Sequence, residues 1–156
     1  MQLQPLVDAL RKVVLEHDVV HVDETPVQML APGSKKTHRA YVWAYATTSA
    51  ADIQAVVYDI SPGRSSEYAR NFLGDWKGKL FCDDYGGYKA SFALGVTEIG
   101  YMAHARRKFY ELHVTEKSIL AEHELQYIAA IYEAERKVRD LGSDERRRIR
   151  KEKAAP

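Results

Sequence analysis

The sequence has little cysteine, no long apolar run and almost no net charge. Its single Cys82 excludes an internal disulfide and fits a reducing cytoplasm. No apolar stretch approaches the roughly eighteen residues that a membrane span needs, and no signal-peptide pattern opens the chain. The 23 basic and 22 acidic residues nearly cancel, so total charge predicts no partner. We therefore expect a cytoplasmic, globular protein without a membrane segment.

Positive charge is nevertheless concentrated in the second half of the chain. The stretch HARRKF occupies residues 104–109, and ERRRIRKEK occupies residues 145–153. Such runs are typical either of a solvated helix face or of a surface that contacts nucleic acid. The runs alone do not decide between the two interpretations.

Apolar periodicity predicts an α/β domain. The predicted strands are residues 19–22, 40–46, 53–60, 80–82 and 96–102, and the predicted helices are residues 3–17, 65–73, 88–94, a segment from residue 103, and 125–141. Three consecutive strands without intervening helices favour antiparallel neighbours, and the alternating units that follow favour a mixed sheet. This order matches the ribonuclease-H-like fold. We expect that core over residues 1–113, and a helical extension with a fraying basic tail over residues 114–156.

Acids follow two of the predicted strands. Asp23 comes after the strand in HVDETPV, and Asp83 comes after the strand in LFCDDYGGY. If those strands are neighbours, the two carboxylates converge at one edge of the sheet, where they could hold Mg²⁺ together with water and substrate phosphates. The alternative is turn chemistry alone, since Asp and Gly are favoured in turns. Because adjacent strand residues point to opposite faces, Glu24 should not face the same site as Asp23.

Three motifs together resemble one family of proteins. HVDETPV (residues 21–27), CDDYGGYKA (82–90) and AHARRKF (103–109), in this order, resemble the insertion-sequence 66 family of bacterial transposases. The resemblance implies a DDE-type transposase whose ribonuclease-H-like domain holds Mg²⁺, or Mn²⁺, and cleaves and transfers DNA strands. Asp23 and Asp83 fall on two of the family's catalytic acids, and Asp84 is the second choice for the latter. Arg64, in SPGRSSEYARNFL, falls on a recurrent arginine.

The sequence also departs from the family pattern. The family's third acid, a Glu, belongs to a downstream stretch that this sequence does not contain, and its zinc-binding and N-terminal DNA-recognition segments are not found either. The resemblance therefore implies an incomplete catalytic core, whether a fragment or a truncated gene.

Basic residues after the fifth predicted strand are candidates for DNA phosphate contact, because Arg and Lys dominate such contacts. These candidates are His104, Arg106, Arg107 and Lys108, with Arg64 as a further one. A wet helix face is the alternative. The histidines lack the paired spacing with Cys82 that a zinc site needs.

Two other functions remain open. The chain could be a non-catalytic remnant that binds DNA, associates with itself or contacts other transposition proteins. It could also be a generic two-metal nuclease in which Asp84 or Glu135 replaces the missing acid. The third acidic ligand discriminates these readings, because two-metal chemistry depends on the number of ligands.

Overall fold

The structure is a computed structural model, and it describes residues 3–33 and 36–153. It consists of two compact units that divide between Tyr101 and Met102. Among these described residues, all strands lie in the first unit, and the second unit is helical. The boundary predicted at residue 113 falls within a helix of the second unit, α4 (Met102–Glu116).

The first unit is built on a five-stranded mixed sheet. Its strands are β1 (Val19–Leu30), β2 (Thr37–Thr47), β3 (Val56–Ser61), β4 (Lys79–Cys82) and β5 (Thr97–Gly100). Their order across the sheet is β3-β2-β1-β4-β5. The first three strands pair antiparallel, as predicted, whereas β4 and β5 join in parallel. β1 and β4, the two strands associated with the acids, are therefore neighbours.

β1 is longer than the sequence indicated. The predicted strand stopped at residue 22, before the acids, but β1 continues to Leu30 and pairs with β2 along this extension. Its pairing with β4 covers only Val19 to His21, so the extension belongs to a two-stranded hairpin. Proline lacks a backbone donor and is tolerated where a strand has an open edge, which explains Pro26 within β1. The expectation that Asp23 ends the first strand was wrong.

Three α-helices and a short 3-10 helix (Gly86–Tyr88) accompany the sheet in the described residues; the α-helices are α1 (Gln4–Leu15), α2 (Ser66–Leu73) and α3 (Lys89–Ala93). α2 begins and ends as predicted, because the Ser65 hydroxyl accepts the Glu67 N–H and Gly74 closes the helix at φ 57°. The core lies between one sheet face and these helices, and Trp43 and Tyr45 are fully buried in it. Alternation along β2 therefore places both of these aromatic side chains on the core face of the sheet.

The second unit contains α4, α5 (Ile119–Val138) and α6 (Ser143–Lys153). The basic tail was expected to fray, but its described part forms α6. Arg150 explains part of this order, because its Nε and Nη2 donate to the two carboxylate oxygens of Glu135 at 2.6 and 2.7 Å. Within residues 3–33 and 36–153, none of the helices has the length and apolar character required to span a bilayer.

Candidate catalytic site

The strand register brings Asp23 level with Asp83. β1 and β4 run parallel, and the last residues in register are His21 and Phe81. Continuing that register by two residues places Asp23 beside Asp83, which directly follows β4. The two acids therefore belong to neighbouring strands, as expected from the sequence, but Asp23 lies within β1 and Asp83 directly follows β4.

Alternation along β1 sends its two acids to opposite faces. Val22 and Glu24 are buried, whereas Asp23 is exposed. Asp23 thus shares its face with His21, two residues earlier, while Glu24 points into the core. The predicted placement of Asp23 and Glu24 on opposite faces of β1 is confirmed.

An aromatic group lies beside Asp23 and Asp83. His21 stacks on Phe81 with a centroid separation of 4.6 Å, and its Nδ1 lies 3.1 Å from the Tyr101 hydroxyl. Burial, followed by the negative charges of Asp23 and Asp83, raises the pKa of Tyr101 to about 12. Burial lowers the pKa of His21. Both carboxylates therefore act on one tyrosine, which supports their convergence, and the groups flanking them are neutral at neutral pH.

The buried acid Glu24 is held by two side chains. Arg64 Nε donates to Oε1 at 2.8 Å, and Arg64 Nη2 donates to the same oxygen. The Tyr88 hydroxyl donates to the other oxygen, Oε2. The Glu24 side chain is fully inaccessible to solvent, whereas that of Arg64 is 37% exposed. A buried carboxylate requires such compensation, since desolvation would otherwise favour its neutral form.

Arg64 also reaches Asp83. Its Nη2 lies 3.4 Å from Asp83 Oδ2, and its guanidinium carbon lies 3.9 Å from the centre of the Tyr85 ring. Asp83 Oδ1 accepts the Tyr85 N–H at 3.0 Å. Burial acts to lower the pKa of Arg64, but the bond to Glu24 and the nearby acids outweigh it and raise the pKa. Arg64 therefore stays cationic between Glu24 and Asp83.

The loop that carries Arg64 is fixed from the core. Trp43 Nε1 donates to Ser61 Oγ at 2.7 Å, and Ser61 Oγ donates to the Gly63 carbonyl at 2.6 Å. The Tyr85 hydroxyl donates to the Arg64 carbonyl. Arg64 thus enters the site from a backbone held on both sides.

The donor set suits one hard cation rather than two. Asp23 and Asp83 supply carboxylate oxygens, which Mg²⁺ prefers, and water can complete its shell. In the described part of the chain, however, no group of three or more His, Cys, Asp or Glu side chains is placed to hold a metal. Burial raises the pKa of the Cys82 thiol to about 12, so this residue does not supply a thiolate.

The other predicted site residues are distributed over both units. Asp84 follows Asp83 after β4. Arg106, Arg107 and Lys108 are exposed on α4, and His104 on the same helix is half-buried. Because α4 belongs to the second unit, its contact with phosphate beside the acids stays a prediction. Glu135, the suggested replacement acid, uses both carboxylate oxygens to accept hydrogen bonds from Arg150.

Sequence reasoning missed the partners of Glu24. It placed Arg64 at a DNA phosphate and gave no role to Tyr88, yet both side chains bind Glu24. One signal was present: alternation put Glu24 on the buried face of β1, and a buried acid requires a cationic or hydroxyl partner. Which residue supplies that partner depends on contacts 40 and 64 residues away along the chain.

Comparison with known proteins identifies the family. The family model described as "Transposase IS66 family" matches residues 1–156. Three similar proteins come from Sinorhizobium fredii (strain NBRC 101917 / NGR234), and each match covers 99% of this chain. They are uncharacterized protein y4qI at 33% identity, uncharacterized protein y4jD at 30% and uncharacterized protein y4hP at 27%. The chain spans 31–32% of the length of these curated relatives.

Proposed function

Because the chain belongs to the IS66 family of transposases, we propose that its first unit is part of a DDE-type catalytic core acting on DNA phosphodiesters. The observation that carries this proposal is the parallel register of β1 and β4. Extended by two residues, this register sets Asp23 opposite Asp83, which directly follows β4. The strand order and the antiparallel start of the sheet support a ribonuclease-H-like fold.

In this proposal, Asp23 and Asp83 hold Mg²⁺ or Mn²⁺, with Asp84 as the second choice. The bound cation would polarise the phosphodiester and stabilise the charge that develops during in-line displacement. Asp83 is oriented for its part by the Tyr85 N–H and by Arg64. Asp23 presents its carboxylate from a paired strand rather than from a free loop, which limits its motion.

The exposed basic segment of α4, residues 106–108, is the proposed DNA contact of the second unit. Arg106, Arg107 and Lys108 are exposed on one helix, and His104 lies one turn before them. Contacts of this kind release counterions from DNA, so binding should weaken steeply with salt. Changing Arg106, Arg107 and Lys108 to Ala should reduce the slope of log affinity against log salt by roughly three. If fluorescence anisotropy shows an unchanged slope, these three side chains do not contact DNA.

A second candidate function is a remnant that binds DNA or associates with itself without catalysis. The observation that favours it is the donor set, because the described residues contain no group of three or more His, Cys, Asp or Glu side chains placed to hold a metal. We expect this chain alone to bind one cation weakly and to give no strand transfer.

Metal titration tests the proposed site. Mn²⁺ binding to the full chain, followed by electron paramagnetic resonance, should weaken roughly tenfold or more in Asp23→Asn and in Asp83→Asn, because each loses an anionic ligand. Asp75→Asn, a change at an exposed acid of the same type, is the matched control. Equal Mn²⁺ affinity in the unaltered protein and the three variants would contradict the proposed metal site.

A further inference from the structure

We propose that Glu24 is a charge-balancing residue: it neutralises Arg64 and thereby leaves Asp83 able to take a divalent cation. Glu24 and Arg64 are positioning residues in this role, since they act on the cation through Asp83. The inference rests on the proposed function, because it concerns the metal site at Asp23 and Asp83.

The geometry shows that Arg64 is committed to Glu24 first. Two nitrogens of Arg64 bind one oxygen of Glu24, and the Nε contact measures 2.8 Å. The separation of 3.4 Å between Arg64 Nη2 and Asp83 Oδ2 is longer than a strong charge-assisted bond. Glu24 therefore makes the two closer contacts with the guanidinium, and Asp83 makes the longer one.

Asp83 is consequently held in a fixed orientation, while one of its carboxylate oxygens stays available for a cation. Its Oδ1 is fixed by the Tyr85 N–H at 3.0 Å, and its Oδ2 has the long contact to Arg64. Tyr85 also covers the guanidinium with its ring. Oδ2 can thus exchange the weak contact with Arg64 for a bond to a cation.

Removing the charge of Glu24 should upset this balance. The guanidinium would then carry an uncompensated positive charge beside Asp83, where it would bind that carboxylate more tightly and repel a divalent cation. At this range, a unit charge that is only partly screened should change cation affinity by roughly tenfold. Removing both charges together should restore the affinity.

The test is Mn²⁺ binding to the full chain, measured by electron paramagnetic resonance on variants confirmed as folded by circular dichroism. Glu24→Gln should bind Mn²⁺ about tenfold more weakly, and Glu24→Gln with Arg64→Met should return to within about threefold of the unaltered protein. Glu16→Gln removes an equal charge from an exposed position and is the matched control. If Glu24→Gln alone does not fold, Glu24→Gln with Arg64→Lys replaces it as the variant with an unbalanced cation.

The outcomes separate two failures. If Asp83→Asn weakens Mn²⁺ binding but Glu24→Gln does not, the metal site stands and charge balancing by Glu24 is wrong. If the double variant with Met remains as weak as the unbalanced variant, the effect is structural, and the inference is wrong again. If Asp83→Asn leaves binding unchanged, the proposed function fails, and the inference fails with it.

Discussion

Loss of Arg64 should destabilise the first unit, because the buried carboxylate of Glu24 would lose its cationic partner. In Arg64→Met the aliphatic length is kept, but the carboxylate of Glu24 retains only the Tyr88 hydroxyl as a partner. Removing one member of a buried ion pair costs about 3–5 kcal/mol. Arg64 is 37% exposed, so water can replace part of its contact, and we expect a loss of about 2–3 kcal/mol.

That loss should be visible in thermal unfolding. For a chain of this size, each kcal/mol shifts Tm by about 2–4 °C, so Arg64→Met should lower Tm by about 4–12 °C. Arg70→Met removes the same group from an exposed position on α2 and should change stability by less than about 0.5 kcal/mol. Adding Glu24→Gln to Arg64→Met should recover most of the loss, because no charge is then buried. A loss below about 1 kcal/mol in Arg64→Met would refute the reasoning that Glu24 depends on Arg64.

Two further predictions concern groups away from the acids. Among the described residues, the buried Tyr45 hydroxyl has no hydrogen-bond partner. In urea unfolding, Tyr45→Phe should therefore leave stability unchanged or raise it by up to about 1 kcal/mol. A clear loss of stability would show that the hydroxyl has a hydrogen-bond partner. His17 Nδ1 contacts the Val13 carbonyl and its Nε2 contacts Asp52, and both bonds raise its pKa. The stabilising contribution of His17 should therefore be complete below its unfolded pKa and lost as pH rises through its higher folded pKa. Asp52→Asn should make the free energy of unfolding less dependent on pH in this range, and an unchanged pH profile would contradict the prediction.

The sequence predicted those elements whose boundaries and buried faces depend on residues close together in the chain. The Ser65 cap and Gly74 stop defined α2, because a hydroxyl acceptor and a residue at positive φ act within one turn. The alternation of aromatics in β2 placed Trp43 and Tyr45 in the core. The sequence also predicted that the strands associated with Asp23 and Asp83 are neighbours, although Asp23 lies within β1 rather than at its end.

Features with distant causes were not predicted. β1 was ended too early because the acids and Pro26 resemble a turn, whereas pairing with β2 extends the strand. The tail was expected to fray, yet α6 forms with an ion pair from Arg150 to Glu135 on α5. The partnership of Glu24 with Arg64 was missed for the same reason, since only the folded chain shows which cation a buried acid meets.

A crystal structure of the protein soaked in Mn²⁺ tests the central claim most directly. The account predicts an anomalous difference peak at about 2.0–2.3 Å from carboxylate oxygens of both Asp23 and Asp83, a range typical of small hard cations. The same soak of Asp83→Asn should lose the peak. A peak elsewhere in the unaltered protein, or none at saturating Mn²⁺, would contradict the assignment of these two acids as a metal site.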